Sequence, residues 1–107
     1  MEINVIQIPP QDNENDFSTT FWTDFSIADH FGIAAVKDTY NRAFEEWKHD
    51  YRYLTDLVMV LNHKIWQWYE KNEPLARVYN DLWDKTAQYA MDNLKGEELS
   101  YYFEVTD

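Results

Sequence analysis

The sequence contains no cysteine, which excludes disulfides, thiolate catalysis and thiolate metal ligation, and fits a reducing compartment. Glycine occurs only twice, at Gly32 and Gly96, and proline three times, at Pro9, Pro10 and Pro74. Two isolated glycines rule out a glycine-rich phosphate loop or a dinucleotide-binding fingerprint. Scarcity of both residues favours long helices over a many-turned β fold. The longest apolar run, "LVMVL" at 57–61, is far too short to cross a bilayer. The first ten residues, "MEINVIQIPP", have neither the basic region nor the apolar stretch of a secretory signal. The expectation is a soluble, cytoplasmic protein.

Basic residues are missing from one end and scarce at the other. Residues 1–32 carry six acids and no base, residues 33–72 balance six against six, and residues 73–107 hold eight acids against three bases. The net charge of −11 therefore resides in the two ends. Such a surface repels phosphate backbones and anionic lipids, so no direct nucleic-acid or membrane binding is expected. Two readings of the acidity stand: it keeps the chain soluble, or it attracts a basic partner.

A length of 107 residues with 45% hydrophobic content supports one domain with one core. "INVIQI" at 3–8 alternates as a short strand would, and Pro9-Pro10 ends it. "QDNEND" at 11–16 is a polar, acidic linker, so residues 1–16 form an N-terminal appendage and residues 17–107 a single helical domain. Phe17, Phe21 and Phe25 share a face, and one or two short helices are predicted between 18 and 31. Ser26 there reads as an N-cap, with Asp29 completing a capping box and Gly32 as a stop.

The strongest pattern runs from Ile33 through Val36, Tyr40, Phe44, Trp47, Tyr51, Leu54, Val58, Leu61 and Ile65 to Trp68 in steps of three or four. One helix of that length would extend roughly 55 Å, more than a small domain accommodates. A break is predicted at "KHD", 48–50, with Asp50 capping the second half. The helix of residues 52–71 is then the central one. Asn72-Glu73-Pro74 marks a tight connection to an antiparallel helix. That helix aligns Leu75, Val78, Leu82, Thr86 and Tyr89, flanked by Tyr79, Trp83, Ala90 and Leu94. The tail "ELSYYFEV" reads as a helical turn in preference to a strand paired with residues 3–8. The predicted fold is mainly α: three main helices plus short ones.

Chemistry-bearing patterns are few. Glu46-x-x-His49 matches half of a di-iron carboxylate motif, but that centre needs the motif on two helices, and no second Glu-x-x-His exists. A solvated helix face is the reading of Glu46 and His49, the alternative being a mononuclear metal site there that would need a third ligand such as Asp50; no metal or other cofactor is predicted. Ser18, Ser26 and Ser100 lie outside any Gly-x-Ser-x-Gly elbow. Neighbouring acids such as Glu45/Glu46 and Glu97/Glu98 point about 100° apart on a helix. No enzyme is expected.

Aromatics are what the chain has in excess: five Trp, eight Tyr and six Phe, 18% of residues. Trp66 and Trp68 differ by about 200° in direction on one helix, so they cannot both face inward. One of them, with Tyr53, Tyr69, Tyr101 or Tyr102, is expected at the surface or against a partner, where exposed Trp and Tyr act as anchors. The competing reading covers this face with the short helices. Asp81, Asp84 and Asp92 form an acidic stripe on the outer side of the last long helix, either solvated or used for docking. The expected partner is another protein, including a second copy of the chain.

The run "FWTDFSIADHFGIAAVKDTYNRAFEEWKHDYRYLTDLVMVLNHKIW" at 21–66 and the ending "LKGEELSYYFEVTD" resemble short acidic proteins encoded by integrative conjugative elements and related mobile DNA of gut Firmicutes. That resemblance implies an accessory protein of a mobile genetic element acting in the bacterial cytoplasm. It carries over no catalytic residue. By analogy it also suggests an alternative role, an acidic inhibitor or nucleic-acid mimic aimed at a host defence or DNA-handling enzyme.

Overall fold

The computed structural model describes residues 18–106, which form five helices: α1 (Ser18–Phe31), α2 (Ile33–Trp47), α3 (Tyr51–Trp68), α4 (Glu73–Asn93) and α5 (Glu97–Thr106). The mainly α prediction holds, and no strand occurs among the described residues. The strand read at 3–8, the linker at 11–16 and Phe17 lie outside them.

The long apolar stripe divides where expected. Its undivided length of roughly 55 Å exceeds the molecule's largest extent of 41 Å. Lys48 N donates to Phe44 O as α2 ends, and the Asp50 side chain accepts from Arg52 N at 3.0 Å as α3 begins. Asp50→Ala is expected to lower stability by about 1 kcal/mol, the usual worth of an N-cap, read as a shift in the urea midpoint. Between α3 and α4, Asn72 caps the helix that follows: its side chain accepts from Leu75 N at 3.2 Å, and Pro74 fills the first turn, where no N–H is needed.

α3 is the central helix. Leu54, Leu57, Val58, Val60 and Leu61 are fully buried and cover more than one face, because α1, α2, α4 and α5 all pack against it. Its most extensive neighbour is α4. Leu54 and Val58 share a cluster with Ala90 and Leu94, whereas Leu57 and Leu61 share one with Leu75 and Tyr79, so the pair is antiparallel. The buried face of α4 is rotated from the predicted one. Ala76, Tyr79, Ala87 and Ala90 lie inside with Leu75 and Thr86, while Val78, Leu82 and Tyr89 are half-buried. Small alanines let the helices approach closely, and the bulkier residues then sit at the margins of the contact. Phe44 and Trp83 touch both clusters and join them into one core.

α1 is one uninterrupted helix through Ser26 and Asp29, so the cap predicted there does not form. It ends at Gly32, whose φ of 108° lies where a side chain is strained. The tail is helical: α5 packs mainly on α3 and buries Tyr102.

Candidate functional site

Ser26 and Asp29, freed from capping, meet a lysine buried in the core. Lys64 is 0% exposed; its Nζ donates to Asp29 Oδ2 at 2.8 Å and to Ser26 Oγ at 3.1 Å. The same ammonium lies 4.8 Å from the centre of the Trp22 ring. Asp29, 7% exposed, also accepts from Trp68 Nε1 at 3.1 Å and from the Tyr79 hydroxyl at 2.5 Å. One carboxylate thus ties α1 to both α3 and α4. Charges this deep persist only when paired and hydrogen-bonded, and this pair is both. With each group committed to its neighbours, the cluster is a strut that joins α1 to α3 and α4.

The strut accounts for Trp68, half-buried and turned toward Asp29, opposite to the surface role offered for it. The sequence held a signal for it. Leu57, Leu61, Lys64 and Trp68 follow steps of four, three and four, which puts a lysine on the core face of α3, and Asp29 lies four residues after buried Phe25.

Burial and the neighbouring Asp29 carboxylate push the Tyr79 phenol far above its ordinary 10.0. Burial raises Tyr102 as well, and it raises Tyr40. Thr86 already donates to Leu82 O at 2.6 Å, so Tyr40 is the donor in the 2.7 Å bond between the two hydroxyls. A raised folded value means stability that is complete below pH 10.0 and is lost as pH rises above it. Lys64 works in the opposite sense. Burial lowers its value below 10.5 despite Asp29, so its charging costs stability below its folded value, and that cost fades as pH rises toward 10.5. The large shift is that of Tyr79, so we expect stability to fall as pH rises above 10.0. Phenolate absorbance should then show Tyr40, Tyr79 and Tyr102 ionising only as helical circular dichroism is lost. Complete titration of all eight tyrosines with the helices intact would contradict this.

Of the aromatics predicted for the surface, the structure brings two together. Trp66 is 66% exposed and Tyr69 59% exposed, with ring centres 5.5 Å apart at the C-terminal end of α3. Beside them runs an open groove of about 440 Å³ between α3 and α4, lined by Ile65, Tyr69, Ala76, Arg77, Asn80 and Asp81 among others. Arg77 pairs with Glu73 at 2.8 Å on its rim. Tyr53 is half-buried edge-on to Trp47 at 4.5 Å, and Tyr101 edge-on to Tyr51 at 5.3 Å. Tyr102 is 4% exposed and belongs to the core, because α5 folds back over α3 and covers it. The competing reading, in which a short helix covers this face, is right for Tyr102.

Asp81, Asp84 and Asp92 are exposed along α4, and Asp92 accepts from Gln88 at 3.3 Å. Glu46 is in the last turn of α2 and His49 in the loop after it, both exposed. Among the described residues no group of three or more His, Cys, Asp or Glu is placed to hold a metal ion. Among them, too, no helix is long and apolar enough to cross a membrane. A second apolar feature, absent from the sequence reading, is Phe31, exposed with Ile27 where α1 turns into α2. No protein-family model, curated protein or solved structure matches this chain.

Proposed function

We propose that this chain is a non-enzymatic protein-interaction module that docks a basic partner through Trp66, Tyr69 and the adjoining α3/α4 groove. The observation carrying this reading is the exposed Trp66–Tyr69 pair at the groove. Large aromatics left outside a core that has absorbed most of the others are the residue types that anchor interfaces. The charge selects the partner's chemistry. Asp81 lines the groove, Asp84 lies one turn further on, and the chain carries −11 overall, so a second copy meets like charge while a basic surface is attracted. The partner presents an apolar side chain ringed by Lys or Arg. As an accessory protein of a mobile genetic element, the module would act on a host protein of that kind.

Sedimentation velocity separates the two occupants. A monomer at low salt fits the proposal; a dimer that dissolves on Trp66→Ala/Tyr69→Ala substitution assigns the face to self-association and overturns the basic partner.

A further inference from the structure

A second concavity, on the α5 side of α3, is unrelated to the proposed docking face and stands on its own observations. It is a crevice of about 240 Å³ between α3, α4 and α5, about one turn back along α3 from Trp66. Asn62 and His63 of α3, Trp83 of α4 and Tyr102 and Thr106 of α5 line it, with Met59 beside them. Tyr102 is 4% exposed as a whole residue, but its hydroxyl is not sealed in the core: it opens on the crevice, and no described residue hydrogen-bonds it. The Asn62 carboxamide and the Trp83 indole N–H are also without a described partner. Thr106 donates to Tyr102 O at 2.7 Å, which leaves its oxygen free to accept. The His63 ring rests against Trp22, centres 6.0 Å apart, and faces the crevice from a fixed side. Here several polar groups with unused capacity converge on one space.

We infer that this crevice binds a small, neutral, planar heterocycle of the nucleobase class. No Asp, Glu, Lys or Arg lines it, so nothing there balances a charged ligand. Its polar set mixes donors (Asn62 amide, Tyr102, Trp83) with acceptors (Asn62 carbonyl, Thr106, His63), as the edge of a nucleobase does. Trp83 and Met59 supply flat and deformable apolar walls for a ring. The volume falls below the ~300–1,000 Å³ of drug-sized sites, which limits the occupant to one ring system. The net charge of −11 repels phosphate and selects the free base over its nucleotide.

The test is a titration of the isotope-labelled full chain with adenine and with uracil, followed by amide and indole NMR shifts. Saturable shifts at Asn62, His63, Thr106 and the Trp83 indole are expected with at least one base. Tyr102→Phe, which keeps the ring in the core, should weaken that binding about tenfold, the worth of one hydrogen bond. Saturation by neither base overturns the inference. So does unchanged affinity in Tyr102→Phe, equal binding of benzene, or tighter binding of a nucleoside monophosphate than of its base.

Discussion

Replacing Lys64 with methionine is expected to destabilise the chain by about 3–5 kcal/mol, the usual cost of stranding one partner of a buried ion pair. Methionine fills the space of the aliphatic stem, so lost packing contributes little. What changes is Asp29, 7% exposed, which keeps Tyr79 and Trp68 as donors and loses the Lys64 charge that neutralises it. For a domain whose total stability is about 5–15 kcal/mol, the loss leaves a marginal fold. Urea unfolding should show a large fall in midpoint at unchanged slope. Asp29→Asn should also be severe, because Lys64 then lacks a counter-charge. The double variant Asp29→Asn/Lys64→Met should cost less than the two single losses added, since no unpaired charge remains. A loss below about 1 kcal/mol in Lys64→Met, the scale of an exposed pair, would contradict the strut.

The second large effect is on binding. Trp66→Ala should weaken the partner complex by about 2 kcal/mol or more, roughly thirtyfold, as expected of a central aromatic anchor. Trp66 is 66% exposed, so its removal opens no cavity, and stability should move by no more than about 0.5 kcal/mol. Binding and stability therefore part company at Trp66, whereas at Lys64 stability itself fails. Phe31→Ala supplies the control. Phe31 is more exposed still, at 78%, but stands at the α1/α2 turn away from the groove, so its loss should leave the complex intact.

Much of the fold was legible because helix periodicity and caps are local. The steps from Val36 to Trp68, the break at 48–50 with Asp50 as cap, and the Asn72-Glu73-Pro74 start all reappear in the structure, while Ile33, at the head of the predicted stripe, is exposed. Periodicity reports which residues share a face; it does not report what covers that face. Tyr102 read as a surface candidate because nothing local shows α5 folding back on α3. Trp68 did so because its partner, Asp29, is 39 positions away. Ser26-x-x-Asp29 has the spacing of a capping box and equally the spacing of two neighbours inside a continuous helix, and only Lys64 decides between them. Of the candidate site, the 200° divergence of Trp66 and Trp68 correctly required one to face out. Which one did so was settled by the buried polar cluster.

The central claim is that Trp66 and Tyr69 are the docking anchors. The most direct measurement compares capture from bacterial lysate by the wild-type chain, by Trp66→Ala/Tyr69→Ala and by Phe31→Ala, each washed at low and high salt. The account predicts one basic protein held by the wild type and by Phe31→Ala at low salt, weakened at high salt, and lost from the double variant. Equal retention by all three chains, or retention indifferent to the loss of Trp66 and Tyr69, would contradict it.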